Sequence, residues 1–248
     1  MLIDWNRLES ITGNYGCGIT LAKNKISFYK GYFFNKKIVV DNPLFKRVTE
    51  LKLADPFSYS CQNGRMKVDL STRPKNSEVI FDLAGEFCSF VDKRKVKRLY
   101  EVSESLNFKI FLETVGLGFK NNVCDKVTFY FDNFDKTLPK ESKKIIDRFM
   151  SDFGAKELNY LLPKTDNMYL YIVALDFSAE ASKIKFYFLA NKNLRNEDLS
   201  TMLLGSEYKK YAEEILDTNG WVAYFQIAYS DRGDVTYNFY YTKEKVCD

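Results

Sequence analysis

Met168–Ala190 reads MYLYIVALDFSAEASKIKFYFLA. Two apolar, aromatic-rich runs flank a polar link, Asp176–Ser182, which is the pattern of a β-hairpin. In the second arm Ile184, Phe186 and Phe188 alternate with Lys183, Lys185 and Tyr187. Successive strand residues point to opposite faces, so one face is oily and the other carries two ammonium groups and a phenol. The same alternation recurs in Arg65–Leu70 (RMKVDL) and in Lys126–Phe131 (KVTFYF). A single such strand is an ordinary solvated face. Three of them imply a common design.

The chain has 248 residues, of which 46% are hydrophobic and 28% charged, values of a folded globular protein. The 21 Phe and 17 Tyr suit β structure or an aromatic-lined cavity. A formal charge of +4 permits an anionic ligand but falls short of a nucleic-acid footprint. Histidine is absent, which removes Ser-His and Cys-His catalysis and the usual zinc sites. The five cysteines, Cys17, Cys61, Cys88, Cys124 and Cys247, are odd in number and lack a CxxC pair. They read as reduced thiols of a cytoplasmic protein. Met1–Thr12 has no signal-peptide core, and no apolar run is long enough to span a bilayer as a helix.

In chain order, Asp4 caps an expected helix through Thr12, and Tyr15–Phe34 forms a hairpin turning at Lys23-Asn24. Asn42-Pro43 starts a helix, and Phe57–Arg73 is a hairpin around Asn63-Gly64. Glu78–Leu106 is mostly helical, with Val96, Leu99, Val102 and Leu106 on one side and five basic residues in Lys93–Arg98 on a solvated face. A third hairpin spans Phe108 to Phe134, and Pro139 opens a helix whose stripe is Ile145, Ile146, Phe149, Met150 and Phe153. After the opening hairpin, Asn196 caps a helix closed by Gly220, and Trp221–Lys243 turns at Asp231-Arg232-Gly233.

Helix and hairpin thus alternate five times, without a linker, in a single domain covering residues 1–248. The predicted class is α+β: a ten-stranded antiparallel β-barrel of five helix–hairpin repeats, with helices outside. Closure removes exposed edges, and the helices shield the oily strand faces. The polar faces then point inward. Lys30, Lys67, Lys126, Lys185 and Tyr240 fall at similar places in successive second arms, at steps of 37, 59, 59 and 55 residues. Inward lysines repel one another unless an anion sits among them, or unless Asp69, Asp132 and Asp176 neutralise them as ion pairs.

At this point the chain resembles the ABBA-fold aromatic prenyltransferases, and most of all the cyanobactin-type peptide prenyltransferases. The matching stretches are KISFYKGYFF (Lys25–Phe34), RMKVDLS (Arg65–Ser71), KVTFYFD (Lys126–Asp132), KIKFYFL (Lys183–Leu189) and VTYNFYYTK (Val235–Lys243). The likeness runs over nearly the whole chain in element order, through motifs that are each short. It implies transfer of an isoprenyl group, by default dimethylallyl (C5), from its diphosphate to a side chain or terminus of a ribosomally made cyclic peptide. By the resemblance, Lys30, Lys67, Lys126 and Lys185 hold the diphosphate, while Tyr130, Tyr187 and Tyr240 shield the allylic cation. Mg²⁺ is carried by the diphosphate, and the absence of DDxxD agrees with that. The protein is expected to act as a monomer in the cytoplasm, with no nucleic-acid or membrane partner.

One feature departs from the pattern. The family places a glutamate on the first strand as the base, and YGCGITLA (Tyr15–Ala22) has no carboxylate there. Asp69 and Glu113 are the substitute candidates. Two other readings stand beside this one: an aromatic small-molecule prenyltransferase of the same fold, and a non-catalytic barrel binding a lipid or anion.

Overall fold

Tight turns set the strand boundaries. Asn121 and Asn122 both take positive φ, +52° and +62°, the mirror-image turn whose twist matches two antiparallel strands. Gly233 (φ +88°) does the same service between the last two strands. The computed structural model describes residues 15–22, 25–34, 40–62, 65–107, 109–132, 139–155, 160–162, 168–194, 196–204, 208–211 and 221–242. The expected helix from Asp4 to Thr12 and the turns at Lys23-Asn24 and Asn63-Gly64 lie outside them.

Ten strands are described: β1 (Tyr15–Ala22), β2 (Lys25–Phe34), β3 (Ala54–Gln62), β4 (Arg65–Thr72), β5 (Phe111–Lys120), β6 (Val123–Asp132), β7 (Met168–Ser178), β8 (Ser182–Leu194), β9 (Trp221–Ser230) and β10 (Val235–Thr242). Each pairs antiparallel with its neighbours in sequence, and β1 also pairs with β10, so the sheet closes on itself. Among the described residues five α-helices lie between hairpins: α1 (Pro43–Glu50), α2 (Ser77–Phe87), α3 (Lys93–Ser105), α4 (Pro139–Asp152) and α5 (Asn196–Leu204). The stretch read as mostly helical from Glu78 to Leu106 is two helices, interrupted where Cys88 turns extended and Asp92 caps a new start through the Arg94 amide. Asn42 caps α1 with Oδ1, which accepts from the Leu44 and Phe45 amides.

The helices cover the outer face of the wall. Phe81 of α2 meets Phe129 edge-on at 5.0 Å, Tyr100 of α3 meets Phe131 at 5.6 Å, and Phe149 of α4 stacks near Phe186 at 6.4 Å. The alternate residues of those same strands face the lumen. The basic run on α3 is partly a clamp rather than a plain solvated face. Arg98 reaches Asp152 of α4, and Lys95 reaches Asp231 in the β9–β10 turn at 2.8 Å, while Arg94 stays 91% exposed. The outer groove beside Arg94, Lys95, Arg98 and Phe153 lies on the far side of the wall from the lumen and belongs to this helix packing.

Each odd strand from β3 onward carries a bulge near its start, at Phe57, Glu113, Tyr171 and Ala223. The extra residue switches the parity of the buried outer face. In β7 the fully buried residues run Met168, Leu170, then Val173 and Phe177, and in β9 Val222, then Phe225 and Ile227. Bulges add twist and bend a strand, which is how a rim is shaped.

Candidate functional site

Ladder register places the lumen side chains in tiers. Nearest the hairpin turns is a basic tier. Lys67 pairs across β5 with Gly118, which pairs with Lys126; one step on, Asp69, Gly116, Thr128 and Asp176 align across four strands. The glycines make room for this. A Cβ on Gly116 would come within 2.8 Å of Asp69 Oδ1 and 2.9 Å of Lys67 Cε, and one on Gly118 within 3.0 Å of both Arg65 Cδ and Lys126 Cβ. The long side chains of β4 and β6 lie across the bare backbone of β5.

Asp176 is the hub. Its Oδ2 binds Lys185 Nζ at 2.5 Å and Lys126 Nζ at 3.1 Å, and its Oδ1 accepts from Thr128 Oγ1 at 2.9 Å. The residue is only 5% exposed. Burial raises its pKa, but Lys185 and Lys126 outweigh that and hold the carboxyl well below the usual carboxylate range. Two ammoniums share one carboxylate, and the consequence shows on Lys126, whose pKa is pushed down first by the Lys185 charge and then by burial. Asp176 was expected in the polar link of the hairpin. Instead β7 runs on to Ser178, and the turn is residues 179–181.

A second group adjoins it. Lys67 Nζ donates to Tyr130 Oη at 2.9 Å and lies 2.7 Å from Asp69 Oδ1, an oxygen that makes no aligned hydrogen bond. Burial disfavours the Lys67 charge, yet Tyr130 and Asp69 more than compensate and hold it protonated far above the usual lysine range. Arg65 grips Asp125 with two parallel bonds of 2.9 and 2.7 Å. Among the described residues the tier holds Arg65, Lys67, Lys126, Lys183 and Lys185 against Asp69, Asp125 and Asp176, an excess of positive charge. The ion-pair expectation for Asp69 and Asp176 thus holds without exhausting the cations.

Above the basic tier the tyrosines converge. Tyr130 and Tyr187 have ring centroids 6.0 Å apart, and Tyr187 and Tyr240 lie 6.4 Å apart. Burial, then Tyr130 and Tyr240, keep the Tyr187 phenol protonated well above its usual range. Beside them Tyr187, Gln226, Asn238 and Thr20 align across β8, β9, β10 and β1.

The structure therefore brings together Lys67, Lys126, Lys185, Asp69, Tyr130, Tyr187 and Tyr240. The Lys30 backbone pairs with Cys17 in β2, but its side chain lies outside the described residues. Glu113 stands apart from the cluster, on the β5 bulge, where burial and then Asp132 raise its pKa. Sequence reasoning assigned no site role to Arg65, Thr128, Gln226 and Asn238, and gave Asp176 only an ion-pairing one. The glycines of Leu117's neighbourhood, GLG, were the one available signal for side chains crossing a strand.

No group of three or more metal-binding side chains occurs among the described residues, and the basic tier's carboxylates Asp69, Asp125 and Asp176 are already engaged by lysine or arginine. These residues do not fit a protein-held metal ion. Nor is any helix among the described residues long and apolar enough to cross a membrane.

No protein-family model matches the chain, and no curated protein matches it. Solved structures do. The 6-dimethylallyltryptophan synthase of Micromonospora olivasterospora, in complex with DMASPP and Trp, superposes with a TM-score of 0.51 at 9% identity, over 93% of this chain and 82% of that one. The NotF prenyltransferase superposes with a TM-score of 0.51 at 11% identity, over 94% and 81%. The chain shares the fold of these aromatic prenyltransferases.

Proposed function

We propose that the protein transfers a dimethylallyl group from its diphosphate to an aromatic acceptor. The observation that carries this reading is the stacking of two tiers in one lumen: surplus ammonium and guanidinium groups below, three converging phenols above. Ionisation of the donor breaks its C1–O bond and leaves the electron pair on the diphosphate. Lys67, Lys126 and Lys185 are positioned to meet that charge. The allyl cation left behind faces the rings of Tyr130, Tyr187 and Tyr240, which attract it and exclude water. A carbon of the acceptor then forms the new bond and loses its proton.

Asp69 is the better placed of the two candidate bases. It shares the lumen face with Lys67 and Tyr130 and has an oxygen without an aligned hydrogen bond, whereas Glu113 sits on the bulge beside Asp132. Mg²⁺ would arrive with the diphosphate and neutralise part of its charge.

An indole-bearing small molecule is the favoured acceptor, because Trp is bound with DMASPP in the Micromonospora enzyme. The peptide acceptor suggested by the cyanobactin resemblance has no such support. The test is incubation with dimethylallyl diphosphate, Mg²⁺, and a panel of tryptophan, small phenols and indole- or phenol-bearing peptides, read by mass spectrometry. Mass gain of one isoprenyl unit on a free aromatic supports the proposal, and gain on peptides alone moves the acceptor class. Donor binding without diphosphate release leaves only the binding barrel.

A further inference from the structure

Gln226 is only 1% exposed and stands on the lumen face of β9, between Tyr187 and Asn238 in register. Its Oε1 accepts from Asn238 Nδ2 and from Tyr240 Oη, the latter at 3.2 Å. Asn238 Oδ1 in turn accepts from Thr20 Oγ1 at 2.5 Å. The carbonyl end of Gln226 is thus fully engaged, and the chain of bonds orients the amide. Its Nε2, with two N–H groups, is buried and has no hydrogen-bond partner among the described residues. A buried donor without an acceptor costs stability, and folded proteins keep few of them. This one sits where two of the shielding tyrosines meet.

The tier around it, Thr20, Tyr187, Gln226, Asn238 and Tyr240, carries no charged side chain. An uncharged amide donor in such surroundings matches an uncharged oxygen better than a carboxylate, which would lie buried without a countercharge. We propose that Gln226 seats the acceptor, its Nε2 donating to a carbonyl or comparable oxygen on a neutral aromatic molecule that lies against the Tyr187–Tyr240 pair. This rests on the prenyl-transfer reading for the word acceptor, but the binding itself is independent of turnover. Gln226 is a positioning residue. It restrains the acceptor by its oxygen, so that a ring carbon faces the allyl group.

The experiment uses the full chain and three fluorescent probes of one shape: methyl naphthyl ketone, its isopropenyl isostere, and the corresponding secondary alcohol. The ketone only accepts, the alkene does neither, and the alcohol can also donate. The wild-type chain is expected to bind the ketone about ten-fold more tightly than the alkene, a difference of about 1.4 kcal/mol. In Gln226→Leu, which removes both amide atoms, the advantages of the ketone and of the alcohol over the alkene disappear. Gln226→Met serves as a second variant, expected to bind ketone and alkene equally, with thermal melting as the check on folding. Equal or unmeasurable binding of ketone and alkene by the wild type overturns the proposal. So does a ketone preference that survives in either folded variant. Donor turnover is assayed separately, so a barrel that never releases diphosphate yet keeps the ketone preference would refute the enzymatic reading alone.

Discussion

Replacing Asp176 with Asn tests the lumen most directly, because two observables are expected to move in opposite directions. The carboxylate holds Lys126 and Lys185 on one oxygen, so their Nζ atoms stand no farther apart than the sum of the two contacts, 3.1 and 2.5 Å. Removing the charge leaves two ammoniums about 5 Å apart, a repulsion of about 3 kcal/mol at an effective dielectric of about 20. Lys185 is only 12% exposed, so water relieves little of this on its side. Loss of one partner from a buried ion pair costs about 3–5 kcal/mol in general, and the unliganded variant is expected to lose stability in that range. Urea unfolding measures it. Affinity for inorganic pyrophosphate should rise, by about ten-fold, since the competing internal anion is gone. Saturating pyrophosphate should then return much of the lost stability by mass action. If the variant is destabilised while its pyrophosphate affinity stays the same or falls, the two lysines serve the fold and not an anion, and the reasoning fails.

Lys67→Met is expected to lower donor turnover by about two orders of magnitude with the barrel intact by circular dichroism, because a fixed charge facing the departing diphosphate acts mainly in the transition state. Tyr187→Phe should transfer nearly as well as wild type, whereas Tyr187→Leu should shift the product ratio towards dimethylallyl alcohol, the water-capture product, read by chromatography. Gly116→Ala forces atoms of Asp69 and Lys67 away from contacts below 3.0 Å, and thermal denaturation should reveal a loss of about 1–3 kcal/mol. The depressed Asp176 pKa also has a pH signature. Its contribution to stability is complete above its unfolded value near 3.8 and is lost as pH falls below that towards the folded value. Acid unfolding of Asp176→Asn should lack this component.

Much of the lumen was legible because lysine and tyrosine alternate with aliphatic and aromatic residues in β4, β6 and β8, and these strands keep period two over Arg65–Leu70, Lys126–Phe131 and Lys183–Phe188, the β6 bulge at Asp125 falling just before its run. The odd strands do not. Their bulges at Glu113, Tyr171 and Ala223 switch the buried parity partway along, so a period-two template fits each strand only in halves. Asp176 was misplaced for a related reason. Asp-Phe-Ser-Ala-Glu has the composition of a turn, and only the lysines supplied by β6 and β8 make a buried aspartate affordable at that point. Gln226 and Asn238 gave no local signal at all, since their roles arise from ladder register among β1, β8, β9 and β10. The break at Cys88–Asp92 gave no signal because CSFVD contains neither glycine nor proline.

The pairing of β1 with β10 carries a consequence for how the chain reaches this state. Thr20 and Asn238 meet across 218 residues of sequence. During synthesis Thr20 leaves the ribosome 218 residues before Asn238, the residue it meets on the strand that completes β1. Until then the growing sheet is an open one with two unsatisfied edges, the kind of surface that recruits other chains. Closure is a late, non-local event whose loop entropy must be met before its contacts form. A protein built this way should refold slowly from urea, lose yield steeply with concentration, and protect the amide protons of β1 and β10 later than those of the β5–β8 wall.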